Sequence, residues 1–541
     1  MRPEEGREVV EDVVRRVQAE VLAARRTAPA GALESLINDA VFHETERLRR
    51  ARDRSREVQA ERAFWRRAQH RLQHATEVEL VALLGDIVRW HAGEIVGRFD
   101  PRVYRFTIEL MPWILTIGLN TAAPRRLLAD LPRLPRVRHN LEIRGELDLA
   151  RRMDDLGTIL LVPTHSSHLD SVTVGWSAAD VGLPPLTYGA GLNLFTNPVL
   201  SFFMHNLGSY RVDRKKRHEL YKQVLKEYAT VTLERGYDNL FFPGGTRSRN
   251  GAIENRLKLG LLGAGLTAYV NNLRRGKPKP NVYVVPCTVN YHLVLEAETL
   301  IDDYLKEEGK SRYIIEDDEA SSWRKWLKFI HNLWQLDSRI FITYGRPLDP
   351  FGNPVDDQGR SLDARGRVVD PRSFVLRDGE PVHDAQRDAE YTKDLGRAVI
   401  DTYRRDNTAL GTQVLATATL GLLRARTGQS DVYRLLRAMR HREAFRLRDE
   451  VYPVVEAVLD GVRRRAVRGE LRLSDELDRQ DAATVTAGAL RHFGTYHQEP
   501  VAVRQGAELL VRNKNLVLYY HGRLSGYGLD DEATAAAAAR L

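Results

Sequence analysis

The chain has 541 residues, with 82 Lys and Arg against 73 Asp and Glu, a formal charge of +9. At 43% hydrophobic and 29% charged residues it is globular, long enough for roughly three to four domains, and neither disordered nor of low complexity. A single cysteine, Cys287, excludes an internal disulfide framework and a cysteine-rich metal module and suits a reducing compartment, while the basic excess fits nucleic acid or an anionic membrane surface.

The N-terminus lacks the basic-then-apolar pattern of a signal peptide, and no stretch offers the roughly 20 apolar residues of a spanning helix. The longest apolar candidate, Leu110–Leu119, is half that and lies beside Pro112. Residues 1–140 read as helical: Leu33, Leu36, Ile37, Ala40 and Val41 recur at helical spacing, as do Leu80, Leu83, Leu84, Ile87, Val88 and Ile95. The Arg/Glu-rich segment between them, Arg47–Arg71, reads as a solvated helix face.

Residues 141–345 change character. Short apolar runs at Thr158–Val162, Asn239–Phe242 and Val282–Val285 alternate with helical stretches such as Lys215–Arg235. That alternation predicts an α/β sheet. An aromatic helix over 320–335 (Trp323, Trp326, Phe329, Trp334) precedes a strand, Ile340–Tyr344. Residues 346–384 are a turn-rich excursion punctuated by Asp/Gly. From 385 to 541 helices return, with Val432, Leu435, Leu436 and Met439 following a Ser430-Asp431 cap, and an Ala-rich tail from Glu532 expected to fray. The expected fold is α/β, a central mixed sheet flanked by N-terminal and C-terminal helical regions.

Three segments carry chemistry. In Thr158–Asp170 a buried strand ends at Pro163, His165 follows in the loop, and Ser166 or Ser167 is placed to cap a helix with Asp170 in its first turn. Asp170 can reach one nitrogen of His165, fix its tautomer and leave the other nitrogen to take a proton. This is a Ser-His-Asp triad in which a substrate hydroxyl replaces the serine, suited to direct acyl transfer to an alcohol. The same residues admit blander readings: a chance His and Asp five apart, a metal-ligand set of His165, His168 and Asp170, or a His168 that only packs at the turn. In the second segment, Leu240–Gly251, a strand runs into a Gly244-Gly245 turn carrying Thr246, Arg247, Ser248 and Arg249, an anion nest or simply a basic turn. The third, Gly208–Arg217, carries five basic residues from Arg211 on, either solvated or holding an anion. The 30 residues before it, Val181–Tyr210, contain no Asp, Glu, Lys or Arg and are either plain core or in part a slot for an acyl chain.

In this order the segments resemble the glycerolipid acyltransferase superfamily over roughly residues 142–305. His165 and Asp170 match its H-x-x-x-x-D block, and Ser167-His168 resembles the glycerol-3-phosphate 1-O-acyltransferase branch. Gly208, Tyr210 and Arg214 fit the second block. Phe242, Pro243, Gly245, Thr246, Arg247, Ser248 and Arg249 fit the third, Phe-Pro-Glu-Gly-Thr-Arg-Ser-Arg, with Gly244 in place of the glutamate. Val285, Pro286 and Tyr291 fit the fourth. Glu296 and Tyr304 continue like the glycerol-3-phosphate branch, whereas His292 stands where that branch has glutamate.

The resemblance implies transfer of an acyl group from acyl-CoA or acyl-carrier-protein to the sn-1 hydroxyl of glycerol 3-phosphate, the first acylation of phospholipid synthesis. His165 would be the base and Asp170 its orienting partner. Arg214, Gly245, Thr246, Arg247, Ser248 and Arg249 would bind the phosphate, with Arg211, Pro286 and Tyr291 as further substrate contacts. No metal or other cofactor is implied, and Cys287 reads as core. Because the product is a membrane-lipid precursor, peripheral contact with the cytoplasmic face of the inner or plasma membrane is expected, through Leu110–Leu119 and the basic loop Arg274–Lys279. The alternatives are lysophosphatidate or dihydroxyacetone phosphate as acceptor, a non-catalytic lipid- or anion-binding protein suggested by Gly244, a metallohydrolase, and a nucleic-acid binder, for which no recognisable module is present.

Overall fold

The computed structural model describes residues 2–117, 141–308 and 339–541, apart from 26–28, 30, 52–54, 196–197, 432–433, 436–442 and 495–496. The helix expected at 320–335, the side chains of Leu110–Leu119, and Val432, Leu436 and Met439 lie outside the described residues.

Helices α1 (Pro3–Arg25), α2 (Ala32–Arg50), α3 (Arg56–Gln73) and α4 (Glu77–Ile95) turn the predicted apolar spacing inward, and Leu33, Ile37, Leu83, Ile87 and Ile95 are buried. A capping box starts α4, with the Thr76 N–H donating to Glu79 Oε2 at 2.7 Å. A fifth helix, α5, spans Pro101–Ile117. The segment Arg47–Arg71 is only partly a solvated face: Trp65 is buried within it and Arg47 pairs with Glu44 at 2.7 Å.

The next elements are β1 (Leu141–Gly145), α6 (Leu147–Leu156), β2 (Thr158–Pro163), α7 (Asp170–Val181), β3 (Thr187–Gly191), α8 (Pro198–Asn206), β4 (Ser209–Val212), α9 (Glu219–Glu234), β5 (Asn239–Leu240), α10 (Leu259–Arg274), β6 (Val282–Tyr291), α11 (Ala297–Glu308) and β7 (Ile340–Tyr344). The strands form one mixed sheet in the order β1-β7-β6-β2-β5-β3-β4, in which only the β6–β7 pair is antiparallel. Every residue of β2 and of β6 is buried, as expected for strands covered on both faces. Helix α9 is shorter than the predicted Lys215–Arg235. The chain first leaves β4 in a loop whose Lys216 is buried.

That lysine shows how the N-terminal helices are fastened. Its Nζ lies 2.6 Å from Glu94, 3.1 Å from Glu61 and 3.4 Å from Glu44, one carboxylate from each of α4, α3 and α2. Arg16 of α1 bonds Glu234 of α9 at 2.6 Å. Tyr210, Leu220, Val224 and Tyr228 pack in the same apolar cluster as Val13, Ile37 and Ile87. The N-terminal helices therefore share a core with the edge of the sheet.

Beyond β7, Asp356 and Asp363 each accept two backbone N–H groups at 2.9 Å and build the predicted turns. The C-terminal region is not wholly helical. Besides α12 (Ala385–Asp406) and α13 (Gly411–Thr427) it contains a three-stranded antiparallel sheet of Glu443–Arg446, Glu508–Val511 and Ala502–Gln505. The Ala-rich tail does not fray. Helix Leu529–Ala538 buries Leu529, Ala533 and Ala537 against α13, where a Cβ on Gly421 would come within 2.8 Å of the Ala533 Cβ. Small residues on both sides let the backbones close up. Leu415, Tyr519 and Tyr520 belong to one core with Val285, Tyr291 and Leu293. No helix among the described residues is long and apolar enough to cross a membrane.

Candidate active site

Strands β2, β5, β3 and β4 run parallel, and β6 runs parallel to β2, so their carboxyl ends share one edge of the sheet. To that edge the topology delivers His165 after β2, the Pro243–Arg249 turn after β5, Arg214 after β4 and Tyr291 at the end of β6. Open α/β sheets bind ligands at this edge.

The centre is the Asp170 carboxylate, fully buried at the first residue of α7. Its Oδ2 faces His165 Nδ1 at 2.9 Å and accepts the N–H groups of Ser166 at 2.6 Å and Ser167 at 2.8 Å. Its Oδ1 accepts the Tyr291 hydroxyl at 2.6 Å. The expected cap is joined by a second one: Ser167 Oγ accepts the Leu169 N–H at 3.2 Å where the chain turns into α7, and Asp170 in turn caps the loop of Ser166 and Ser167. Burial and the neighbouring Asp170 push the Tyr291 phenol well above its ordinary range, so it stays a donor. With Nδ1 held by Asp170, Nε2 is the ring nitrogen left for proton transfer.

The imidazole of His165 stacks on Phe242, with ring centroids 4.1 Å apart and planes at 23°. Its main chain is held as well: its N–H donates to Glu254 Oε1 at 2.8 Å and its carbonyl accepts the Ser248 N–H at 2.7 Å. Glu296 ties the same loop down from the segment between β6 and α11. It accepts the Ser167 hydroxyl at 2.9 Å and the His168 N–H at 3.1 Å, and its Oε1 lies 3.4 Å from Arg247 Nη1. His168 thus contributes its backbone at the turn.

The other predicted residues divide. In the β5 turn the Gly245 N–H donates to the Phe242 carbonyl at 3.0 Å, and Gly245 has φ 75°, which only glycine adopts freely. Thr246 is exposed beside it. The Ser248 hydroxyl donates to the Ala252 carbonyl at 2.7 Å, and Arg249 pairs with Glu307. Arg214 lies on the exposed turn after β4, three strands from β2, or about 14 Å at ordinary strand spacing. Arg211 contacts His205 and stands over the Phe195 ring at 5.2 Å. Pro286 is buried within β6, its carbonyl accepting the Gly345 N–H at 2.8 Å. His292 stacks on His492 of the C-terminal region at 4.6 Å, and Cys287 is buried in β6.

Of the charge-free segment, Pro184, Leu186, Tyr188, Phe203, Met204 and Leu207 line a largely apolar cavity of about 150 Å³, closed by Ser171, Val172 and Gly175 of α7. It therefore begins one residue past Asp170. Sequence reasoning gave no role to Phe242 or Glu296, although both lay in quoted motifs. Glu254 carried no signal at all, since nothing in its spacing tells that its loop folds back under His165.

Residues 141–290 match a family model described as Acyltransferase. A glycerol-3-phosphate acyltransferase of Actinobacillus succinogenes is 32% identical over 192 residues, 35% of this chain and 21% of that protein. Another, of Pseudomonas aeruginosa, is 29% identical over 191 residues, with 35% and 21% covered. The chain thus spans about a fifth of the length of the curated relatives it matches. The crystal structure of a 1-acyl-sn-glycerophosphate acyltransferase, PlsC, of Thermotoga maritima covers 55% of this chain and 90% of its own at 13% identity and TM-score 0.25. Residues 141–290 are thus similar to an acyltransferase domain and to the curated glycerol-3-phosphate acyltransferases.

Burial, with a smaller push from Arg247, holds the His165 imidazole below its ordinary 6.5, and Asp170 pulls the other way. The neutral imidazole therefore predominates at pH 7, and with His165 as the base of the reaction proposed below the acid limb of kcat/KM is expected below pH 6.5. In D170N the carboxylate that favours imidazolium is gone. The limb then moves to still lower pH while kcat falls by about 10² to 10⁴. A pH–rate profile of both proteins checks this, and a limb moving upward in D170N would contradict it.

Proposed function

We propose that the protein transfers a fatty acyl group from acyl-CoA or acyl-carrier-protein to the sn-1 hydroxyl of glycerol 3-phosphate. The observation that carries the reading is the His165 Nδ1–Asp170 contact at 2.9 Å, which leaves Nε2 as base beside the cationic Arg247. The acceptor hydroxyl gives its proton to Nε2 as its oxygen attacks the thioester carbonyl. The tetrahedral intermediate collapses, the C–S bond breaks, and the leaving thiolate takes that proton back. Asp170 stabilises the imidazolium between the two transfers, and the histidine ends as it began. The reaction drawn this way asks for no metal or redox group.

Arg247 and Thr246 are the nearer phosphate ligands in this reading, Gly245 shapes the turn because its one N–H is already bonded to Phe242, and Arg214 reaches the acceptor from its far end. Arg249 joins only by exchanging Glu307 for phosphate, and Ser248 serves mainly by holding the turn. Lysophosphatidate and dihydroxyacetone phosphate offer the same hydroxyl and phosphate chemistry and are the competing acceptors. The cavity beside α7 takes the proximal part of the acyl chain. It is apolar and begins next to Asp170.

Peripheral membrane contact is part of the proposal, but its location moves. The Arg274–Lys279 loop precedes β6, at the sheet edge opposite His165, and its Arg275 is paired with Glu234 at 2.7 Å. Phe106 of α5 and Phe202 of α8 are each more than half exposed, on two of the helices that line the cavity. An acyl chain entering from lipid suits that face.

Incubating the wild type with labelled acyl-CoA or acyl-carrier-protein and glycerol 3-phosphate should yield 1-acylglycerol 3-phosphate. H165A should lose about 10² to 10⁴ of that rate, and product formation unchanged in H165A would sink the reading. Gly175 lines the cavity and a Cβ there meets nothing within 4 Å, so a larger side chain has room at the cavity's wall. Gly175→Leu should shift donor preference to shorter acyl chains at little cost in kcat for the shortest, measured by competition between donors. Flotation with anionic vesicles should show weaker binding of the F106S/F202S double variant than of one with Lys277 and Lys279 neutralised; the reverse order would return the contact to the basic loop.

A further inference from the structure

Residue 244 is a glycine without a conformational reason. Gly245 next to it has positive φ, but Gly244 does not. What keeps a side chain out of position 244 is Glu254. A Cβ built on Gly244 would stand 3.0 Å from Glu254 Cγ and 3.2 Å from its Oε1, so a side chain from 244 would enter the space that Glu254 fills.

Glu254 reaches that space from the loop between the β5 turn and α10. Both ends of the loop are pinned. The Ser248 hydroxyl bonds the Ala252 carbonyl at 2.7 Å, and the Lys258 N–H bonds the Pro243 carbonyl at 2.6 Å. Its Oε1 accepts the His165 N–H at 2.8 Å. Its Oε2 is buried without a hydrogen-bond partner among the described residues. A buried carboxyl oxygen left unpaired is costly. Burial, reinforced by the charge of Asp170, pushes the Glu254 carboxyl above its ordinary range. The chain thus bears this cost at a side chain that holds the backbone of its candidate base.

We infer that Glu254 is the positioning residue of this site: with Asp170 fixing the ring of His165, Glu254 fixes its backbone, from space that Gly244 vacates for it. The inference rests on the acyl-transfer reading above. Removing Glu254 lets the His165 main chain shift under an otherwise intact ring contact, so the loss falls on the chemical step rather than on substrate binding.

E254A should lower kcat about 30-fold with KM for both substrates little changed, while E254Q, which keeps an acceptor for the His165 N–H, stays within about threefold of wild type. G244E should be impaired to a similar degree, because two side chains then compete for one space. The double variant G244E/E254A should recover to within about fivefold of wild type instead of showing the product of the two losses. A double variant as poor as that product, or an E254A indistinguishable from wild type, overturns the inference. A second readout needs no substrate: the imidazole ¹⁵N resonances of His165, assigned by their loss in H165A, should change their titration midpoint in E254A and not in E254Q. If the wild type does not acylate glycerol 3-phosphate but these resonances shift, the substrate reading falls and the placement of Glu254 stands. If they are unmoved in E254A, the placement falls whatever the substrate.

Discussion

One buried carboxylate, Asp170, receives two backbone N–H groups and a phenol and faces an imidazole nitrogen, and the site exists only where all four converge. A carboxylate sealed from water is unstable unless its lone pairs are filled, so the requirement runs outward. Tyr291 reaches Asp170 only if β6 lies directly beside β2 with the Thr158–Val282 register. The Ser166 and Ser167 amides reach it only if the loop turns back at the end of β2. Glu296 then bonds Ser167 and His168 so that the loop cannot relax away. The same carboxylate holds Nδ1 of His165, so the interaction that makes the fold self-consistent also leaves Nε2 as the nitrogen open to proton transfer.

The flanking helices contribute by different means. On one side, Lys216 plugs into carboxylates from α2, α3 and α4, which fixes the loop that also carries Arg214. Of the five basic residues in that segment, one is therefore a buried anchor. On the other side, the C-terminal helices back the sheet at its functional edge. Tyr403 donates to the Val162 carbonyl at 2.8 Å, and Arg523 to the Val289 carbonyl at 2.7 Å. The backbone of residues 250 and 251 packs so closely on helix Lys514–Gly522 that a Cβ at Gly251 would meet the Tyr519 carbonyl at 2.0 Å. The loop bearing Glu254 is thus shaped from below by residues more than 250 positions away in sequence.

Much of this was readable from one dimension. The strands at Thr158–Val162 and Ile340–Tyr344, the α/β alternation and the Asp turns of 346–384 follow from local patterning, which depends on nearest neighbours. His165 and Asp170 are five residues apart, near enough for local geometry to suggest their contact. The order of the Ala-rich tail is not legible in sequence, because alanine spacing says nothing about a glycine on another helix. The fate of Arg249 and Lys216 was hidden for the same reason: their carboxylate partners lie 58 and at least 122 residues away.

The chemical inventory is legible in one dimension: an imidazole and a carboxylate at the end of a buried strand, a Gly-Gly turn with arginines, and thirty residues without charge. Local hydrogen bonding and side-chain type suffice for that. How that inventory is used is a matter of packing in three dimensions. Packing chose which arginine lies beside His165, which lysine became an anchor, that Asp170 caps the loop, and that the carboxylate of Glu254 occupies the space above Gly244. Each of those outcomes depends on which strands become neighbours, and strand order is set by packing between segments that share no local signal.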